Sequence, residues 1–229
     1  MLIFQQKECF LKKYFEILKK CPLFEGINDG DLTVMLQCLG AHIEHFDKKY
    51  TIFAEGYAAR HIGVLLRGVA HTVQNDYYGK RSVLSVVKEG EVFGEAFACA
   101  NTEVLPVSVI AADPCEVMLI DASHIIHTCQ NHCAFHNRLI FNLMRDLARK
   151  TIQFHQKIEI TSQKTTREKL LAYLTVEAKK AGRRHFAIPF DRQTLADYLL
   201  VDRSGLSAEI SKMRREGILE SHKNEFKLL

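Results

Sequence analysis

The apolar positions change period along the chain. Between His42 and Ile120 they fall in short β-rich runs, Gly63–Arg67, Val69–Gln74, Arg81–Val87, Val104–Ala111 and Cys115–Ile120. Gly56, Gly68, Gly79 and Gly90 punctuate this region every 11 or 12 residues. Short strands at ~8–12-residue spacing with turn residues between them predict an all-β jelly roll or barrel. Asn75–Gly79 reads as a hairpin connection, with Gly79 free to take positive φ, and Asp113-Pro114 reads as another turn. A helix near Glu8–Lys20 is predicted ahead of the β region.

After the strands the period becomes helical. Cys133, Asn137, Ile140, Met144, Leu147, Thr151, Phe154 and Ile158 are spaced alternately four and three apart, the rhythm of a helix packed along another helix. No Gly or Pro interrupts residues 115–181, and a pattern beyond ~25 residues without a breaker suggests a coiled coil. One long helix lying on its own β domain would also fit. The narrow stripe favours a homodimer seam at Ile140, Met144, Leu147, Thr151, Phe154 and Ile158.

A further helix is predicted from Thr165-Thr166 to Lys180, stopped by Gly182, and then a short extended run at Phe186–Phe190. Asp191 can cap a short helix that buries Leu195 and Leu199. Asp202 can cap a second that buries Leu206, Ile210 and Met213. The opposite face of that second helix gathers Arg203, Ser204, Ser207, Ala208, Ser211 and Lys212. Short polar side chains allow close approach in a major groove, and an Arg near the helix start can reach guanine bidentately. Gly217–Leu219 and Phe226–Leu228, joined through Lys223-Asn224, read as a hairpin wing.

Composition narrows the classes. The 229 residues are 47% hydrophobic and 25% charged, an ordinary globular balance with room for one large domain or two small ones. No apolar run reaches the ~18 residues of a membrane span, and Lys7, Glu8, Lys12 and Lys13 break up any signal peptide. Seven cysteines without a secretion signal predict a reducing, cytoplasmic setting and no membrane partner. The charge is uneven: residues 161–229 hold 14 Lys and Arg against 9 Asp and Glu, whereas residues 1–160 hold 17 against 18. A basic C-terminal third suits a nucleic-acid reader, although a solvated basic surface would give the same count.

RQTLADYL, VDRSGLSAEISKM and REGILE in the C-terminal third resemble the winged helix-turn-helix of the Crp/Fnr family of transcription regulators. The likeness extends to CPLFEGI at Cys21–Ile27, EGEVFGEAF at Glu89–Phe97, CEVMLID at Cys115–Asp121 and the long helix. It implies an α+β chain with an N-terminal jelly-roll-like β-barrel of the cyclic-nucleotide-binding type, a long dimerisation helix and a C-terminal winged helix-turn-helix. The expected divisions are 1–131, 132–160 and 161–229. By position it makes Arg203, Ser204 and Ala208 base-facing, with Asp202 and Ser207 beside them. Arg192 and Gln193 enter at the DNA backbone, and Lys212 sits near phosphate. The implied partners are double-stranded DNA, a second copy of the chain, a small-molecule effector and, for an activator, RNA polymerase. A hinge near Ile160–Thr166 would be the switch. Leu200 stands where relatives often carry a turn glycine, and a slightly different turn is expected there.

For the sensor, the resemblance places an effector pocket at Gly94, Glu95, Leu105, Pro106 and Thr151. Gly94-Glu95 matches the relatives' ribose-binding pair, but Leu105-Pro106 replaces the Arg-Ser pair that meets a cyclic phosphate. A buried phosphate without a cation would be uncompensated, so an effector other than cyclic AMP is expected, and Glu95 can equally be structural. Cys9 and Cys21 lack the close companions of an iron–sulfur set. Cys129, His132, Cys133 and His136 share a helix face, but one straight helix cannot surround a metal or haem with four ligands. No cofactor and no catalytic residue is therefore assigned. Two other classes remain: a metal-dependent cupin-like enzyme, for which His42, Glu44 and His45 lack the usual spacing, and a nucleotide-binding regulatory subunit.

Overall fold

The computed structural model describes residues 13–75, 77, 81–126 and 134–229. The chain divides into two compact units, residues 1–150 and 151–229. Among the described residues the first begins with α1 (Phe15–Leu18), a 3-10 turn at Pro22–Phe24 and α2 (Asp29–Cys38). Asn28 caps α2 by accepting the Asp31 N–H. Strands follow as β1 (His42–Phe46), β2 (Thr51–Phe53), β3 (His61–Arg67), β4 (Ala70–Asn75), β5 (Arg81–Val87) and β6 (Val92–Phe93). After α3 (Glu95–Cys99) come β7 (Ser108–Ala111), β8 (Cys115–Asp121) and α4 (Ala122–Ile126). The helix α5 (Ala134–Thr161) contributes to both units.

The strands form two four-stranded sheets, ordered β1-β8-β3-β6 and β2-β7-β4-β5. The N-terminal fold is thus jelly-roll-like, as expected, but its sheets do not join into a closed barrel. β6 is only two residues long, and β1, β6, β2 and β5 remain sheet edges. Alternation along β3 assigns its two faces. Leu65 packs with Val87, Phe93, Val109 and Val117 between the sheets, whereas Ile62, Val64 and Leu66 pack with Leu18, Leu36, Leu139 and Leu143 on the helix side. Gly63 faces the sandwich opposite Phe93, where any Cβ would collide with the Phe93 ring. The predicted strand at Val104 begins later, at Ser108. Leu105 instead exchanges backbone hydrogen bonds with the Gly56-Tyr57 turn, at 2.9 and 2.8 Å, and Pro106 has no N–H to offer a ladder. Asn75 pairs with Arg81 across the predicted hairpin, while its turn residue Gly79 lies outside the described residues. The predicted helix at Glu8–Lys20 is described only as α1, since its first residues also lie outside.

The second unit contains the end of α5, α6 (Thr166–Ala181), β9 (His185–Ala187), α7 (Arg192–Leu199), α8 (Arg203–Arg215), β10 (Leu219–His222) and β11 (Glu225–Leu228). A capping box of Thr165 and Glu168 starts α6, and left-handed Gly182 ends it. The three strands pair antiparallel in the order β10-β11-β9. Ile160, Leu170, Leu174, Leu195, Leu206, Ile210, Met213 and Phe226 form one core beneath them.

Leu200 corrects the expectation of an altered turn. It adopts the left-handed conformation, φ 54° and ψ 53°, as the C-cap of α7. A non-glycine residue tolerates this at a cost of ~1–2 kcal/mol, here because Val201 N–H closes the turn onto Ala196 O at 3.0 Å. Leu200 is 62% exposed, so its side chain gives little in return. Leu200→Gly is expected to stabilise the unit by about 1 kcal/mol, read as a higher urea midpoint.

Candidate nucleic-acid interface

The helix pair α7–α8 is set by its caps. Asp191 accepts the Thr194 N–H at 2.7 Å, and Asp202 accepts the Gly205 N–H at 2.9 Å. Backbone N–H donation to Asp191, and the Ser204 hydroxyl together with the Gly205 N–H at Asp202, hold both carboxyls below the ordinary aspartate value. The predicted buried faces are as expected. Leu195 and Leu199 are buried on α7, and Leu206, Ile210 and Met213 on α8.

The other face of α8 leaves Arg203, Ser204, Ala208, Ser211 and Lys212 exposed, with Ser207 half-buried. Arg203 stands in the first helical turn, where base edges are usually contacted. Two serine hydroxyls are engaged locally. Ser204 donates to the Asp202 carboxylate, and Ser211 donates to Ser207 O at 2.9 Å. Arg192 is not a free surface charge. Its guanidinium donates to Lys223 O at 3.2 Å in the wing turn and lies 5.5 Å from the Phe226 ring centre. Burial lowers its pKa. Gln193 is exposed and donates to Asp197 Oδ1 at 2.9 Å. The structure therefore gathers Arg192, Gln193, Asp202, Arg203, Ser204, Ser207, Ala208 and Lys212 on α7, α8 and the cap between them.

In the N-terminal unit, Gly94 is the left-handed N-cap of α3, where a Cβ would approach the Phe53 ring to 2.6 Å. Glu95 is only 4% exposed and accepts from Lys150 Nζ at 2.7 Å. Lys150 also donates to Val92 O at 2.7 Å and lies 3.2 Å from Asp146 Oδ2. Leu105 is buried and Pro106 exposed; Thr151 lies exposed on α5 in the second unit. The ion triad was only partly legible in sequence: Asp146 and Lys150 are one helical turn apart, but Glu95 comes from 55 residues away. A second unforeseen cluster joins Arg167 to Glu209 and Glu216.

Of the cysteines and histidines considered as ligands, His136, Cys21 and Cys115 are engaged in packing. Cys129, His132 and Cys133 of the helix-face set lie outside the described residues, as does Cys9. His136 is buried, its Nε2–H donating to Ile125 O at 3.0 Å. Burial pushes the Cys21 thiol up to about 12, and Cys115 donates to the carbonyls of Val69 and Asp113. Among the described residues no three His, Cys, Asp or Glu side chains are placed to hold a metal ion. His42 and Glu44 form an exposed pair at 3.3 Å. No described helix is long and apolar enough to cross a membrane.

Along α5 the predicted seam is open: Met144, Phe154 and Ile158 are exposed, Thr151 is exposed, and Ile140 and Leu147 are half-buried. Phe141 and Ile152 extend the exposed apolar row.

Comparison with known proteins agrees with this architecture. Residues 43–132 match the model of the cyclic nucleotide-binding domain, and residues 168–229 that of the Crp-like helix-turn-helix domain. The chain is 24% identical to the "Probable transcriptional regulator flp" of Lacticaseibacillus casei over 210 residues, 91% of each chain. Among solved structures it resembles the c-di-GMP responsive global regulator CLP of Xanthomonas campestris. The TM-score is 0.65 at 15% identity, covering 87% of this chain and 99% of that one. It also resembles FixK2 of Bradyrhizobium japonicum, with a TM-score of 0.57 at 19% identity over 82% of this chain and 92% of that one.

Proposed function

The chain belongs to the Crp/Fnr family of DNA-binding transcription regulators, and from that premise we propose that it reads a palindromic operator as a cytoplasmic homodimer under control of an effector other than cyclic AMP. The observation that carries the reading is α8. It buries Leu206, Ile210 and Met213 and turns Arg203, Ser204, Ala208 and Lys212 outward. Such a face combines a bidentate donor for guanine with small side chains that permit close approach. Arg192 fastens the wing turn to α7, so its part is to orient the backbone-contacting end, with Gln193 exposed beside it. The family member is a regulator and not an enzyme.

We assign 1–131 to sensing, 132–160 to dimerisation and 161–229 to DNA binding. The exposed row of α5 supports the dimer, whose recognition helices would match half-sites ~34 Å apart. The hinge at Ile160–Thr166 would change that match. RNA polymerase is the partner if the protein activates. Two features argue against cyclic AMP at Gly94, Glu95, Leu105 and Pro106. Lys150 already occupies the Glu95 carboxylate, and the positions expected to neutralise a phosphate hold Leu105 and Pro106. Saturating cyclic AMP is accordingly expected to leave the melting temperature unchanged.

The test is footprinting of the full chain on duplexes selected from a random pool, with a salt series. A protected two-fold site whose affinity falls steeply with salt supports the proposal. Arg203→Ala should then lose about 1–3 kcal/mol of discrimination at one base pair per half-site, with the non-specific affinity little changed. Protection of a single half-site, or unaltered discrimination in that variant, would overturn the corresponding part.

A further inference from the structure

The apolar stripe of α8 sets which face the helix buries but leaves its fine rotation within that face open. Hydrophobic contact is non-directional, and the stripe consists of Leu206, Ile210 and Met213 alone. A directional contact is supplied from another helix. Arg167, the second residue of α6, donates through Nε to Glu209 Oε1 at 2.6 Å, and its Nη1 lies 2.8 Å from Glu216 Oε2. The two carboxylates are seven residues apart, Glu209 on α8 and Glu216 at its C-cap, two turns along one lateral face. One planar guanidinium thus grips the recognition helix at two points along its axis, a geometry that a lysine ammonium cannot reproduce.

We infer that Arg167 is a positioning residue for base readout: it sets the fine rotation of α8 about its own axis, and so the exact aim of Arg203, Ser204 and Ala208. Neither Arg167 nor the two glutamates belongs to the outward face proposed to meet DNA. Glu209 and Glu216 bring negative charge to a basic reader, a placement that costs DNA affinity unless it does something else. Arg167 also follows two residues after the 162–165 segment that links α5 to α6. A change of backbone direction there reaches α8 through this clamp. The inference rests on the DNA-reading assignment and deepens it.

Simple electrostatics and positioning give opposite signs, which makes the test sharp. Arg167→Ala removes a positive charge and the double variant Glu209→Gln/Glu216→Gln removes two negative ones. If charge alone mattered, the first would weaken binding to every duplex and the second would strengthen it. Positioning instead requires both to lower the ratio of specific to non-specific affinity, on the order of tenfold, because misaimed side chains lose base contacts while phosphate contacts persist. The triple variant should be no worse than either parent, and Arg167→Lys should recover only part of the ratio. The measurement is binding of full-length protein to its selected duplex and to an unrelated one, with melting temperatures confirming that each variant is folded.

A ratio unchanged within about twofold in folded Arg167→Ala, or shifts of opposite sign in the two variants, would overturn the inference. If Arg167→Ala does not fold, the glutamine pair carries the test alone. If the unsubstituted protein selects no duplex, the DNA-reading assignment falls by itself, and the clamp is judged from the crystal structure of full-length Arg167→Ala. Rotation of α8 against α6 beyond the ~10–20° tolerance of a functional site supports it, and an unaltered orientation refutes it.

Discussion

Lys150→Met is expected to destabilise the N-terminal unit by about 3–5 kcal/mol, because it leaves two carboxylates of the interior without a counter-charge. Glu95 and Asp146 are both nearly inaccessible, and the Lys150 ammonium lies 2.7 Å from one and 3.2 Å from the other. Burial works to lower the Lys150 pKa, but the two carboxylates outweigh it and the net shift is upward. A lysine raised on folding contributes its stabilisation in full below its ordinary value of about 10.4 and loses it as pH rises through the folded-state value. The wild-type triad is therefore intact throughout the physiological range. In the variant Glu95 and Asp146 stay buried without their shared counter-charge, and urea unfolding of wild type and variant at neutral pH checks the loss. Adding Glu95→Gln to Lys150→Met should recover a large part of the loss, and a deficit below about 1 kcal/mol would show the site to be solvated rather than closed.

The second large effect concerns the proposed dimer. Replacing both Phe154 and Ile158 by Glu is expected to give a monomer and to reduce operator affinity by about 10²–10⁴-fold, since one half-site must then bind without the effective concentration supplied by its tethered mate. Phe154 is 55% and Ile158 62% exposed within one chain, so folding of that chain does not depend on burying them. The substitutions should leave the melting temperature of the C-terminal unit close to wild type, and the loss should appear in sedimentation and footprinting. Non-specific DNA affinity per recognition helix should change little, because Arg203 and Lys212 are untouched. A dimer that persists in this variant would place the seam elsewhere and remove the main support for a two-fold operator.

The sequence by itself determined what depends on local periodicity and on short-range chemistry. The short β-rich runs of β3, β5 and β8 between turn residues, the helical stripe of α5 and the Asp191 and Asp202 caps follow from residue types, spacings and bonds within a few residues. The outward placement of Arg203 and Lys212 followed from the same rule, since burying Leu206, Ile210 and Met213 leaves only one direction for the rest. Leu105 escaped this logic: its β-like neighbourhood predicted a strand, but Pro106 and the hydrogen bonds to the Gly56-Tyr57 turn hold it off the ladder. Leu200 escaped it as well. The αL cost is local, but the core formed by Leu195, Leu199 and Leu206 decided that the turn should keep its geometry and bear the strain. Tertiary structure alone decided the two charged clusters. Lys150 meets Glu95 across 55 residues, and Arg167 meets Glu209 across 42. No periodicity encodes such pairs, because a charge on a surface helix reads the same whether it faces water or a distant partner. Only the packing that removes water from Glu95 and brings α6 against α8 turns those residues from solvated charges into directional contacts.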